Sequence, residues 1–110
     1  MQLPREVVVG KGVIRRIPEV FERLGFAESA LIVAGKKTYK ILGREVRRLL
    51  EEKGLKVDNL LVHSATMKDV HIVEDKIEAL ESQVVLGVGG GTKIDVAKLS
   101  SARMKVPFIS

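Results

Sequence analysis

The segment from Val84 to Lys98 constrains the fold of this chain more than any other. Its first five residues, 84–88, are mostly β-branched or apolar and predict a buried strand. Four glycines lie within five positions, at 87, 89, 90 and 91. Residues typical of a helix face then recur at helical spacing: Ile94, Ala97 and Ser101. The segment therefore predicts a strand, a glycine turn and a helix in direct succession.

A glycine turn of this kind favours phosphate binding. Glycine allows positive φ angles and a close approach of the backbone to a ligand. The N–H groups of the first helical turn have no partners within the helix, and the helix dipole favours a negative charge there. The alternative is a tight turn that needs glycine only for its geometry. The run matches neither the dinucleotide fingerprint G-x-G-x-x-G nor the P-loop. On the pattern alone, both phosphate binding and a purely geometric turn remain possible interpretations.

Composition narrows the class of protein. The 110 residues, 45% hydrophobic and 30% charged, are typical of one globular domain. No cysteine is present, which excludes disulfides and thiolate metal sites. No apolar run approaches the roughly 20 residues of a membrane span, and the N-terminus lacks the apolar core of a signal peptide. We expect a cytoplasmic protein without a membrane partner.

The net charge of +5 has two interpretations. Basic residues can indicate nucleic-acid binding, but here they are scattered among acidic ones, and aromatic residues are only 4% of the chain. We therefore expect no nucleic-acid partner. A basic surface also suits anionic small molecules.

Strands alternate with helices along the chain. Strands are predicted over Glu6–Val9, Ser29–Val33, Leu55–Val62, Val84–Val88 and Val106–Ile109. Helices are predicted from Pro18 to Leu24 with a stop at Gly25, from a cap at Thr38 to Gly54, from a cap at Thr66 or Asp69 to Leu80, and from the glycine turn to about Met104. This rhythm predicts a single α/β domain with a Rossmann-like parallel sheet and helices on both faces. Ligands of such sheets bind beyond the carboxyl ends of the strands, here at residues 34–38, 63–66 and 87–93.

The glycine segment also carries a resemblance to a known family. Gly89, Gly90 and Gly91, with Asp95 and Lys98, match the pattern G-G-G-x-x-x-D-x-x-K of the superfamily of iron-dependent alcohol dehydrogenases, glycerol dehydrogenases and dehydroquinate synthases. Within it, the chain resembles the archaeal sn-glycerol-1-phosphate dehydrogenases over nearly all its length. The matching stretches are 4–10, 31–35 with Thr38, 87–98 and 107–110.

The resemblance implies an NAD- or NADP-binding domain over residues 1–110. It assigns the cofactor contacts to Gly89, Gly90, Gly91, Thr92, Lys93, Ile94 and Asp95. In the family, a carboxy-terminal domain supplies an Asp and two His as metal ligands and much of the site for glycerol phosphate or dihydroxyacetone phosphate. We therefore expect no catalytic residue in this chain, zinc only in a full-length family member, and no activity from the 110 residues alone.

Two parts of the implied cofactor site leave alternatives. Asp95 would repel a pyrophosphate, so it either meets a ribose hydroxyl or stabilises the start of its helix through the dipole. Where many NAD sites carry an acid after the second strand, this chain has Gly35, Lys36 and Lys37. The lysines either bind a 2′-phosphate as point charges or form a solvated basic turn, so NADP should be tolerated.

The histidines predict no metal site. His63 and His71 lie on different predicted elements, and a zinc site needs three or four converging ligands. A surface position is expected for both, with a cofactor contact as an alternative for His63.

Three hypotheses on function follow. The first is the NAD(P)-binding domain of an oxidoreductase that resembles glycerol-1-phosphate dehydrogenase. The second is a stand-alone flavodoxin-like module that binds nucleotides or phosphates without catalysis, and the third is a purely structural domain. No helix follows Val106–Ile109, so this strand is expected to be an apolar edge that drives the chain to form a homo-oligomer.

Overall fold

The fold was analysed on a computed structural model that describes residues 6–7, 16–63, 65–89 and 91–109. The predicted Val8 and Val9 of the first strand, and Gly90 of the glycine turn, lie outside the described residues. In chain order the elements are β1 Glu6–Val7, α1 Ile17–Leu24, β2 Ser29–Ala34, α2 Lys36–Thr38, a π-helical segment Tyr39–Gly43, α3 Arg44–Glu52, β3 Lys56–Leu61, α4 Met67–Leu80, β4 Val84–Val88, α5 Gly91–Arg103 and β5 Phe108–Ile109. None of the helices among these residues is long and apolar enough to cross a bilayer.

The described strands form one parallel sheet in the order β1-β5-β4-β2-β3. The chain passes from β2 to its neighbour β3 on one side and then returns to β4 on the other side of β2. The direction of winding therefore reverses between β2 and β4. The predicted parallel α/β sheet is confirmed, and the order of its strands comes from the structure.

Helices cover both faces of the sheet. On one face, α1 and α3 pack through Ile17, Phe21, Val46 and Leu50. On the other face, α4 and α5 pack through a second cluster that includes Val73, Ile77, Val96 and Ala97. Residues of β2 alternate between the two clusters, and all six are buried. Strand β2 is thus the centre of the core.

Most predicted helix boundaries are confirmed. Gly25 and Gly54 have left-handed φ angles of 82° and 91° just beyond α1 and α3. Thr66 caps α4, because its hydroxyl accepts from the Asp69 N–H at 3.2 Å. Other ends differ from the prediction by one or two residues, as is usual for fraying termini.

The predicted cap at Thr38 is wrong. Helix α2 already begins after Gly35, whose extended backbone (φ −81°, ψ 163°) precedes the first turn, and Tyr39 N–H donates to the Gly35 carbonyl at 2.9 Å. Thr38 has helical dihedrals, and its side chain makes no capping hydrogen bond. The chain turns into a helix directly at the end of β2, so no residue is left to act as a side-chain cap.

The expectation for the last strand is also wrong. Strand β5 is not an edge, because β1 pairs with one side of it and β4 with the other. Phe108 and Ile109 are buried. The return of the amino-terminal β1 to the far side of β5 could not be seen in the local pattern. Self-association stays a prediction, but without the edge-strand argument.

The packing of the sheet explains the glycine at position 87, in the middle of β4. A Cβ on Gly87 would lie 2.9 Å from Cε1 and Cζ of the Phe108 ring on the neighbouring β5. Such a distance is shorter than van der Waals contact, so the ring occupies the space that a side chain would need. Gly87 thereby allows the larger buried side chain of β5, Phe108, to pack against β4.

Helices α4 and α5 approach closely through small and charged side chains. Ala97, Ser100 and Ser101 are fully buried. The Ser100 hydroxyl lies 3.3 Å from the Val70 carbonyl of α4 and 2.7 Å from the Val96 carbonyl of its own helix. Further along, Glu74 Oε2 accepts from Arg103 Nε at 2.7 Å, which joins the two helices at the surface.

Glu74 also contacts His71 Nδ1 at 3.1 Å, and its side chain is only 13% exposed. Partial burial raises the pKa of the Glu74 carboxyl, but hydrogen bonds from Arg103 and His71 outweigh it and hold the pKa below its usual range. The folded state therefore favours the charged carboxylate.

We expect Gly87→Ala to lower the free energy of unfolding by about 1–3 kcal/mol, because the added methyl overpacks the Phe108 ring. Urea denaturation would measure the loss. In the Phe108→Leu background the same substitution should cost less, since the ring is gone. Strictly additive losses in this double-mutant cycle would contradict the assigned contact.

We expect Glu74→Gln to reduce stability at pH 7, and this loss should shrink as the pH falls below the unfolded pKa of a glutamate. A carboxyl group whose pKa is lower in the folded state stabilises the fold above its unfolded pKa, and this contribution is lost as the pH falls through the folded pKa. Denaturation at several pH values would test this, with the exposed Glu78→Gln on the same helix as control. A difference from the unchanged chain that does not vary with pH would rule out this role of Glu74.

Candidate functional site

The candidate site lies where the winding of the sheet reverses. Ala34 of β2 pairs with Val88 of β4, so Gly35 and Gly89 follow adjacent strands at the same edge. After Gly35 the chain turns toward the α1/α3 face, where Tyr39 packs against the core. After β4 it turns to the opposite face, where α5 packs. The two connections therefore diverge and leave a crevice between them, the usual ligand position in sheets of this class.

Gly89 and Thr38 lie close together at this crevice. Gly89 has a φ of 131°, a conformation that non-glycine residues rarely adopt. A Cβ at this position would lie 3.2 Å from Thr38 Oγ1 and 3.5 Å from Thr38 Cβ and Cγ2. The glycine turn thus passes directly beside the first helical turn after β2, where the dihedral favours glycine and a side chain would be tight against Thr38.

The start of α5 provides backbone donors at the same place. This helix of 13 residues begins at Gly91, two residues after Gly89. Residues 91–93, which include the predicted Thr92 and Lys93, form its first turn, and their N–H groups are among those left without partners inside the helix. The helix dipole makes this end partly positive. The arrangement can hold an anionic group at the mouth of the crevice.

The other predicted contact residues divide into two groups. Lys36 and Lys37 are exposed on the first turn after Gly35, so two cations stand beside the crevice. On α5, Asp95 is exposed, whereas Ile94 is half-buried and packs against the core cluster of the α4/α5 face. The structure therefore brings the lysines and the glycine turn to one edge of the sheet. Ile94 also packs α5 against the core.

The histidines do not converge with these residues into a metal centre. His63 is exposed in the connection after β3, and His71 is exposed on α4, where it pairs with Glu74. Among the described residues, no three His, Cys, Asp or Glu side chains are grouped closely enough to hold a metal ion.

A second concavity lies at the opposite edge of the sheet. Its lining includes Pro18, Phe21, Ala27 and Leu55. Ala27 and Leu55 precede β2 and β3, so this concavity lies at the amino ends of the strands. The helix N-termini and the glycine turn are at the other edge, which makes the crevice the better candidate for an anionic ligand.

Sequence analysis placed Thr38 in the candidate ligand-binding segment 34–38, but it did not predict the contact of Thr38 with Gly89. The local pattern indicated a helix cap, and a threonine four residues after β2 carries no signal of its partner 51 residues later. Only the adjacency of β2 and β4 brings Thr38 to Gly89.

Comparison with known proteins agrees with this geometry. The family described as "Iron-containing alcohol dehydrogenase" matches residues 8–110. Glycerol-1-phosphate dehydrogenase (NAD(P)+) of Methanosarcina mazei is 44% identical over 110 residues, which are 100% of this chain and 31% of that protein. The enzyme of the same name from Pyrococcus furiosus is 43% identical over 100% of this chain and 32% of its own length. The chain thus spans about a third of the curated relatives it matches.

Solved structures show the same fold. Glycerol dehydrogenase from Schizosaccharomyces pombe superposes with a TM-score of 0.83 at 23% identity, over 99% of this chain and 28% of that one. The NADH-dependent butanol dehydrogenase A of Thermotoga maritima superposes with a TM-score of 0.73 at 26% identity, over 93% of this chain and 26% of that one. With the family match over residues 8–110, these likenesses lead to one conclusion: the chain belongs to the iron-containing alcohol dehydrogenase family.

Proposed function

We propose that these 110 residues form the dinucleotide-binding domain of an NAD(P)-dependent glycerol-1-phosphate dehydrogenase. The observation that carries the proposal is the crevice between β2 and β4, where Gly89 passes beside Thr38 with a φ of 131° and α5 begins. The 44% identity to a glycerol-1-phosphate dehydrogenase supports the choice of subfamily. In this reaction the nicotinamide gives a hydride to the carbonyl carbon of dihydroxyacetone phosphate, and a proton is added to the carbonyl oxygen. The product is the glycerol phosphate backbone of ether lipids.

In the proposal, the pyrophosphate of the cofactor rests on the glycine turn from Gly89 to Gly91 and on the first turn of α5. The described backbone fits such a group, because the N–H groups of the first turn of α5 have no partners within the helix and can donate to phosphate oxygens. Thr92 and Lys93 belong to the same turn. Asp95, exposed one turn later, accepts a hydrogen bond from a ribose hydroxyl and stays clear of the phosphates.

The lysines after Gly35 set the cofactor preference. Lys36 and Lys37 are exposed at the end of β2, where the acid of an NAD-specific site would accept from the ribose 2′-hydroxyl. Two ammonium groups favour a 2′-phosphate instead. NADP is therefore bound more tightly than NAD in this proposal.

The chemistry of hydride transfer needs parts that the family resemblance assigns to residues outside these 110. The metal would polarise the substrate carbonyl as a Lewis acid, and its ligands are expected in the carboxy-terminal domain of the longer relatives. The role of this chain is to bind and orient the dinucleotide, in the cytoplasm. The alternative is a stand-alone module that binds phosphate or nucleotides without catalysis.

Titration with NADPH, ADP-ribose and inorganic phosphate tests the proposal. A dinucleotide site should bind NADPH and ADP-ribose much more tightly than phosphate. Gly90→Val should abolish binding of both nucleotides while far-ultraviolet circular dichroism stays unchanged, because a side chain would fill the space of the pyrophosphate. Equal affinity for ADP-ribose and phosphate would favour the stand-alone module. A folded Gly90→Val variant with unchanged nucleotide affinity would contradict the assignment of the glycine turn as the pyrophosphate site.

The charge-removing double variant Lys36→Gln/Lys37→Gln tests the cofactor preference. We expect it to weaken NADPH by about tenfold or more and NADH much less, because a hydrogen bond between charged groups contributes roughly 1.5–3 kcal/mol. The loss should shrink at high salt, as exposed charges are screened. The control is Lys56→Gln/Lys105→Gln, which removes the same charge at the opposite edge of the sheet. Equal losses for NADPH and NADH would identify the lysines as a general basic patch.

A further inference from the structure

Thr38 stands between the two groups that the proposed site assigns to phosphates. It follows Lys37 in the chain, and in space its side chain meets the backbone of the glycine turn. Of its side-chain atoms, Oγ1 is the nearest to the position of a Cβ on Gly89, at 3.2 Å. The polar atom of Thr38 therefore faces the turn.

The protein does not use this hydroxyl for its own structure. A threonine in a helix often donates back to the carbonyl four residues earlier, here Ala34. That carbonyl accepts from the Val62 N–H at 2.9 Å, and among the described residues the Thr38 hydroxyl makes no hydrogen bond to it. Thr38 also makes no side-chain capping bond, and it is half-buried. Within the described part of the chain, the Thr38 hydroxyl thus lies at the crevice as a hydrogen-bond donor without a protein acceptor.

The residues after Thr38 hold it in place. The Tyr39 ring packs against the α1/α3 core and over Gly43, where a Cβ would collide with it. The Tyr39 hydroxyl lies 3.3 Å from Asn59 Oδ1 on β3, and Arg47 donates to the same oxygen. This anchoring accompanies the π-helical segment from Tyr39 to Gly43, a rare conformation that is frequent at functional sites. The anchored Tyr39 therefore fixes the backbone position of Thr38 beside the glycine turn.

We propose that the Thr38 hydroxyl hydrogen-bonds the ribose–phosphate portion of the adenosine half of the dinucleotide. The inference rests on the proposed function. There, the pyrophosphate lies on the glycine turn and the 2′-phosphate near Lys36 and Lys37, and the adenosine ribose is the part that joins them. A hydroxyl can donate to a phosphate oxygen and can donate to or accept from a ribose hydroxyl. Thr38 is thus a positioning residue for the cofactor, independent of the charge that distinguishes NADP from NAD.

Thr38→Val tests this inference, because valine keeps the shape and removes the hydroxyl. We expect the affinities for ADP-ribose, NADH and NADPH to fall together by about tenfold, the loss expected for one hydrogen bond to a charged or strongly polar group. Thr38→Ser, which restores the hydroxyl, should bind all three within about twofold of the unchanged chain, the spread left when one hydrogen bond is kept. The parallel loss for NADH and NADPH separates this role from that of the lysines.

Thermal unfolding of each variant controls for loss of the fold, and Thr38→Ala serves as a second hydroxyl-free variant that must show the same loss. Unchanged binding of ADP-ribose by Thr38→Val would overturn the inference and leave the proposed function intact. Equal weakening by Thr38→Ser and Thr38→Val would also overturn it, because packing against Gly89 would then be the cause. An unchanged chain that binds none of the three nucleotides would refute the proposed function, and this inference with it.

Discussion

The pairing of β2 with β3 on one side and β4 on the other is the constraint on which the rest of the structure depends. It makes β2 the central strand, buried along its whole length, with alternate side chains in the two cores. It also places the carboxyl end of β2 in the middle of the edge that carries the candidate site. Because the connections after β2 and β4 leave toward opposite faces, a crevice forms without any side chain being specialised to open it.

Glycine serves two different physical purposes along the β4 segment. Gly87 lies inside the sheet, where the Phe108 ring takes the space of a side chain, so its role is packing. Gly89 lies beyond the strand with a φ of 131° and Thr38 beside it, so its role is to form the crevice. A glycine-rich stretch is therefore not a single functional unit. We therefore expect substitutions at 87 to act on stability, and substitutions at 89–91 to act on the proposed ligand site as well.

The position of the crevice is maintained from outside it. Helix α5 is held against α4 by the Ser100 hydroxyl in the core and by the Arg103–Glu74 ion pair at the surface. On the other side, Tyr39 is held by Asn59 of β3, which fixes the residue next to Thr38. Both supports lie away from the glycine turn, yet each orients one wall of the crevice. A ligand that relies on the spacing of these walls needs both supports intact, as is general for sites built on packed elements.

The sequence alone determined which elements form and in what order, because local signals specify them. Alternating strands and helices, Gly25 and Gly54 as helix stops, Thr66 as a cap, and the strand–glycine–helix segment are all set by hydrophobic period and backbone freedom within a few residues. The family likeness carried by Gly89, Gly90 and Gly91 was also local. The tertiary structure alone decided that β5 is enclosed by β1 and β4, that Gly87 faces Phe108, and that Thr38 meets Gly89. These contacts join residues far apart in the chain, and they depend on strand order, which the free energy of the whole packed sheet determines and no short segment encodes.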